Sequence, residues 1–454
     1  MKPRLLFKRA CAVTGLLALV GIGLYAAVNR NDRPPSLVVH RLEAAMHALG
    51  SAAPADNGYI HMLALDVPPD RDVVAVGAGR AAWLAQWTAK DAREDSSFPD
   101  GLQAVSMEPA ASYHALHQAC RQLNRVCQDA LAMDMSKTTA WLASQQWLHA
   151  RYGTMLGTTA WREVPLAGEQ IPLPRFSPGF EGQRLHLLHA WLQAREGNAE
   201  QVKTLLERDL VFWRMMQLSA ANLLTKMMGT AGIQQHFQAA SMIMHALPAS
   251  QRSRAIPRSW GVAFSPEERS MTLAMAGEYT LVKGGYAEIA QKAQAGPWWR
   301  VLPFKVGAFQ MQDSLNRYAG HTVAIADTLA VDFPQMQAAS ERARMLVPAT
   351  RDQGFATYLY NPLGKMLIEV AVETASFVNY GLRVADLEAM RRAALLAAHL
   401  RATNVARADM PASMQASALR NPYSGQPFVW DAEKERLMVG GLAQPDPRRE
   451  AIEY

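Results

Sequence analysis

The sequence predicts an all-α protein: one apolar N-terminal helix, then an irregular array of helical hairpins, then a small C-terminal β-hairpin. Three observations predict it. A 19-residue stretch near the start carries no charge, apolar residues recur at three- and four-residue spacing through most of the chain, and a strand-like pattern appears only after residue 420. Half of the 454 residues are apolar and 19% are charged, which excludes a disordered chain and a multi-span membrane protein. The formal charge is +6, but Lys2, Arg4, Lys8 and Arg9 precede every acid, leaving 42 basic against 40 acidic groups beyond residue 28. That balance gives no footprint for nucleic acid.

Residues 1–9 form a basic segment ahead of the uncharged run ACAVTGLLALVGIGLYAAV, residues 10–28. As a helix the run reaches about 28 Å, close to the ~30 Å of a bilayer's hydrocarbon layer. Four cations before it, against Arg30 and Arg33 after it, favour a cytoplasmic N-terminus and a single-pass inner-membrane signal-anchor. A cleaved signal peptide is the rival reading. Cleavage wants two small residues, and Leu24/Ala26, Tyr25/Ala27 and Ala26/Val28 each offer one large member. After a linker over 29–35, the expected body (36–420) then lies in the periplasm of a Gram-negative cell.

Such a compartment lets disulfides persist. Cys11 lies in the anchor, so Cys120 and Cys127 are the pair available to the body. On one unbroken helix they would stand about 10.5 Å apart along the axis, beyond the ~7 Å that a disulfide tolerates between Cα atoms. A bond needs a corner, and Asn124 offers one; two buried free thiols are the alternative.

Helical periodicity opens at Ser36, which caps a run with Val39, Leu42, Met46 and Leu49. The segment GYIHMLAL (58–65) and a Gly-interrupted helix over about 73–95 follow, and another helix starts at Ser136. Residues 163–180 hold four prolines and two glycines and read as loop. A stripe from Leu185 to Leu192 stops at Gly197-Asn198, and one long helix then carries Val202 through Met227 on a single face, making an αα-hairpin. Ser265-Pro266-Glu267-Glu268 has the form of a capping box. Further helices fit 308–330, 334–345 and 361–402. In 421–454, Phe428-Val429-Trp430 and Leu437-Met438-Val439 form a hairpin, and the tail from Ala443 reads as loose. AWLQAREGNAEQVKTLLERDL has the flavour of a tetratricopeptide unit, but no second copy stands at the repeat offset.

Chemical motifs are sparse. GxSxG, HExxH, Walker and Rossmann patterns are absent, and VGAGRAAW (76–83) lacks the strand and third glycine of a phosphate loop. His114/His117 and His186/His189 form two HxxH pairs, each on one helix face, and their convergence would make a metal site. Without it they are ordinary bundle histidines, and no cofactor is expected. Glu369 and Glu373 stand at i,i+4 among apolar residues, where a shared burial would couple and raise their pKa values for acid–base work. Trp298-Trp299-Arg300 follow Gly-Pro in a presumed loop and combine the residue types of a partner-binding surface.

NGYIHMLAL (57–65), DLVFWRMM with NLLTKMM (209–228), NPLGK (361–365) and NPYSGQPFVWD (421–431) are similar to phrases in a group of uncharacterised, signal-anchored, helix-rich envelope proteins of Gram-negative proteobacteria. The resemblance implies a membrane-tethered periplasmic location and carries no activity or site residue. The expected function is a non-catalytic binding, scaffold or chaperone-like module with a protein partner. The alternative is a cryptic envelope hydrolase with Glu369 and Glu373 in a helical cleft.

Overall fold

The computed structural model describes residues 3–86, 98–166, 172–346, 359–372, 374–444 and 450–454. Side chains are described from residue 13 on, with 299, 300, 303, 370 and 371 excepted. The described residues are 68% helix and 3% strand, so the all-α class holds.

Helix α1 (Pro3–Val28) is followed by α2 (Leu37–His47), capped as expected by Ser36, then α3 (Gly58–Leu63) and α4 (Val73–Gln86). Helices α5 (His114–Ala119) and α6 (Arg125–Met133) flank the Cys120–Cys127 disulfide, whose Cα atoms lie 4.5 Å apart. The corner is Asn124, whose Oδ1 accepts from the N–H groups of Val126 and Cys127 at 3.1 and 3.3 Å. Helices α7 (Met135–Ser144) and α8 (Gln146–Met155) come next. The central group is α9 (Ser177–Arg195), α10 (Ala199–Ser219) and α11 (Leu223–Ala246).

After α12 (Pro266–Arg269), which carries the complete capping box, come α13 (Thr272–Gln294), α14 (Trp298–Lys305), α15 (Met311–Thr328) and α16 (Met336–Arg344). Helices α17 (Pro362–Ala371), α18 (Thr374–Ala402) and α19 (Met410–Ala416) complete the helical part. The main core joins α3, α8–α11 and α18 around Trp141, Trp161, Trp191, Trp213 and Trp260, all fully buried. A second cluster joins α2, α13 and α15 through Val39, Leu42, Tyr279, Phe309 and Leu315.

Several expectations need correction. The single long helix from Val202 to Met227 is two, because Ala220 and Asn222 are extended and Asn222 restarts the chain as the cap of α11. Glu163, from the proline-rich loop, holds that break by accepting from Ala221 N–H, Asn222 Nδ2 and Thr225 Oγ1. A distant carboxylate thus overrides local periodicity. The 361–402 helix likewise breaks at Val372, which is extended. Trp298 opens a helix instead of lying in a loop, since Pro297 (φ −63°, ψ 153°) is placed to start one.

The C-terminal hairpin is a three-stranded antiparallel sheet of β1 (Val429–Asp431), β2 (Arg436–Met438) and β3 (Ala451–Glu453). Residues 450–454 are therefore not loose: Ile452 enters the main core, and Ser241 and Arg401 donate to the Glu453 carbonyl.

No helix among the described residues is long and apolar enough to cross a membrane, so the transmembrane segment expected over 10–28 is not shown. Residues 10–12 of that stretch lie outside the described side chains, and the apolar side chains from Val13 to Val28 on α1 are exposed. Residues 29–36, which contain the linker expected over 29–35, form a collar packed against the body. Asn29 Nδ2 donates to the Leu359 carbonyl at 2.6 Å, and Asp32 accepts from the N–H groups of Gln312 and Asp313 at the start of α15 at 2.6 and 2.9 Å.

Candidate functional site

The densest group of ionisable and polar side chains lies where α8, α9, α10 and α11 meet. Asp209 Oδ1 accepts from the Tyr152 hydroxyl at 2.7 Å, and Oδ2 accepts from His236 Nδ1 at 2.8 Å and Gln183 Nε2 at 3.0 Å. Trp213 Nε1 donates to Tyr152, and Trp260 Nε1 donates to His236 Nε2, both at 2.9 Å. Burial, the largest single influence, would raise the Asp209 pKa; the hydrogen bonds from His236 and Tyr152 and the neighbouring His236 and His186 rings together outweigh it and hold the carboxylate below its usual value.

An Asp–His pair of this kind orients the base in nucleophilic catalysis. Here Trp260 occupies Nε2, the nitrogen that would take a proton, and Asp209 and His236 are wholly buried. The cluster joins helices, and both ring nitrogens of His236 are engaged within it.

Other buried ionisable groups are similarly closed. Burial pushes the Glu163 pKa up to about 7, against the hydrogen bonds from Thr225, Ala221 and Asn222. Burial also lowers Lys226 to about 7, and its Nζ donates to the carbonyls of Gln217 and Glu268, both at 2.8 Å. Glu388 accepts from Arg391 and Arg392 at 2.6 and 2.7 Å.

The histidine pairs do not converge on each other. His114 is exposed at the start of α5, and His117 accepts from Arg184 at 3.0 Å beside Glu181 at 3.3 Å. His186 donates to the Leu205 carbonyl at 3.0 Å, while His189 stacks on His149 with centroids 3.9 Å apart and planes within 7°. A metal must lie in the plane of each ring it binds, and two parallel stacked rings share no such plane. Among the described residues no group of three His, Cys, Asp or Glu is placed to hold a metal ion.

Glu369 is half-buried and engaged with a partner of its own, and Glu373 lies outside the described residues. Trp298 is exposed on α14; the side chains of Trp299 and Arg300 lie outside those described.

Two clefts remain. One, of about 530 Å³, lies between the ends of α11 and α18 and the C-terminal sheet, with four arginines in its walls. Three of them are spent on the fold. Arg401 donates to Ser241 and Glu453, Arg252 to the carbonyls of Leu247 and Arg401, and Arg407 pairs with Glu435. Arg125, the fourth, is exposed 3.6 Å from the same Glu435. This cleft locks the last strand in place.

The other, of about 440 Å³, runs along the outer face of α11. Its floor is Met227, Met228, Ala231, Gln234, Gln235 and Gln238, all half-buried. One wall is Arg121 and Gln122, inside the loop closed by the disulfide, and Arg184 and Arg383 stand at the rim. No acid lines it, although Arg184 is paired with Glu181 at 2.5 Å. Methionines repack readily, and amides both donate and accept, so this floor can hold a polypeptide backbone without demanding one sequence.

Sequence reasoning missed this groove, yet a signal was present. From Met227 to Gln251 the chain carries no Asp, Glu, Lys or Arg, which is unusual for a helix with a face toward water. No family model matches the chain, and no curated protein and no solved structure matches it either.

Proposed function

We infer that this protein is a membrane-anchored, helix-rich binding module of the Gram-negative envelope, taking an extended, acidic segment of a partner polypeptide into the α11 groove. The observation that carries the reading is the groove itself: an uncharged amide and methionine floor, arginines at the wall and rim, and no acid in its lining. Extended peptides bind through backbone hydrogen bonds with side chains setting preference. Arginine is the cation best matched to a carboxylate.

Anchoring through residues 10–28 is supported by the uncharged run with its preceding cations and by the exposed apolar side chains of α1. A periplasmic location accords with the disulfide and with the resemblance to envelope proteins. The reading is non-catalytic, because the buried Asp–His pair is capped by Trp260.

The groove is tested by fluorescence anisotropy with the full chain in detergent micelles. A labelled peptide of alternating glutamate and serine should bind, its lysine counterpart should not, and Arg121→Glu should weaken the first by about tenfold. Equal binding of both peptides would overturn the groove assignment. Alkaline carbonate extraction tests the anchor: retention in the membrane pellet supports it, and release into the supernatant refutes it.

A further inference from the structure

We propose that α14 and the collar beside it form a surface that lies in the lipid interface next to the anchor, fixing the body's orientation on the membrane. The proposal rests on the anchoring reading above. It starts from a stripe on a short helix. Trp298, Leu302 and Val306 recur every four residues and are 75%, 45% and 43% exposed. That spacing places them on one face. The opposite side holds Phe304, which packs edge-on to Phe309 with centroids 5.4 Å apart in the second core.

A helix with core on one side and tryptophan and leucine outward has the form of an interfacial helix, tryptophan being the residue that prefers the headgroup level. Lys305, on α14, is exposed and suits anionic headgroups.

What points to lipid is the junction with α1. Gly307, one residue past Val306, has φ +73°, and a Cβ there would overlap the Asn29 carbonyl oxygen. That same oxygen accepts from Gln310 Nε2 at 2.7 Å, and Asn361 N–H donates to Asn29 Oδ1 at 2.9 Å. Asn29 is the residue directly after the apolar helix. The α14 stripe therefore ends against the base of α1, with no slack between them.

Other exposed apolar side chains stand on the segments that meet at this junction. Leu359 gives its carbonyl to Asn29, and Met366 projects from α17, 56% exposed. Leu37 opens α2 just past the collar, 88% exposed. Val306 and Leu359 thus adjoin the exit of an apolar rod. A bilayer entered by α1 covers all of them at once.

The test places a nitrobenzoxadiazole dye on single cysteines, Leu302→Cys, Val20→Cys or Met133→Cys, in a Cys11→Ser background with the disulfide intact. The full chain is reconstituted in phosphatidylethanolamine–phosphatidylglycerol vesicles carrying nitroxide lipids. The dye at 302 should show blue-shifted emission and lose intensity to a headgroup-level nitroxide. The dye at 20 should respond to a deep nitroxide, and that at 133, on α6, to neither. Trp298→Ser should reduce the quenching at 302. A water-exposed dye at 302 with a buried dye at 20 overturns this proposal and leaves the anchor standing. A water-exposed dye at 20 overturns both, and equal quenching at 133 and 302 overturns the orientation.

Discussion

Gln235 and His236 are neighbours on α11 with opposite surroundings. His236 faces inward, wholly buried, with both ring nitrogens engaged by Asp209 and Trp260. Gln235 faces the groove, half-buried, with its amide reaching only the Phe180 carbonyl at 3.5 Å. One residue step thus separates a saturated polar network from an amide with capacity to spare. The difference teaches where to look for function in this molecule: the groups with the strongest chemistry are consumed by the fold, and the mild ones remain available.

His236→Ala should have the largest effect on stability. It removes a partner from the buried Asp209 carboxylate and orphans the Trp260 N–H, costing about 3–5 kcal/mol. A fall in the urea midpoint of the full chain measures it, and a midpoint within error of the parent would show the network to be dispensable. Cys127→Ser comes next. The loop closed with Cys120 is short, so the loss should be about 2–3 kcal/mol. Because that loop is a wall of the groove, peptide affinity should fall along with stability, which titration under reducing and oxidising conditions can read.

Acid should weaken the fold through a third inward-facing group. Burial, helped by neighbouring imidazoles, pushes His149 down to about 3 and His189 down to about 4. In the unfolded chain both titrate near 6.5. Between those values the unfolded chain binds more protons than the folded one, so stability falls as pH drops from about 6.5 toward 4. The double variant His149→Gln/His189→Gln should show a flatter thermal midpoint over that range; an unchanged slope would exclude these residues as its source. Gln235→Ala should have the smallest effect, within about 0.5 kcal/mol, since its side chain closes no network.

Legibility in the sequence follows the same division. Helix starts set by local chemistry were readable: the Ser36 cap, the Ser265 capping box and the Asn124 corner that lets the cysteines meet all stand as expected. Breaks imposed from a distance were not. Nothing local at Ala220 announces that Glu163, from a loop far upstream, will take its neighbour's N–H. The third strand was hidden for the same reason, since Ile452 gains its burial only from a core assembled by α11 and α18.

Among candidate sites, spacing correctly put His186 and His189 on one face, but their third neighbour is His149, which pattern alone does not reveal. The Asp209 network joins four helices and leaves no motif. The groove left one, a charge-free run of helix, and an absence of charge is easily read as ordinary core.

The central claim is that the open face of α11, and not the buried cluster behind it, recognises a partner. Gln235→Glu tests this most directly, because it puts an acid into the groove without touching the network. Affinity for the glutamate–serine peptide should fall by about tenfold, roughly 1.4 kcal/mol, while the thermal midpoint stays where it was. Undiminished affinity at an unchanged midpoint would contradict it.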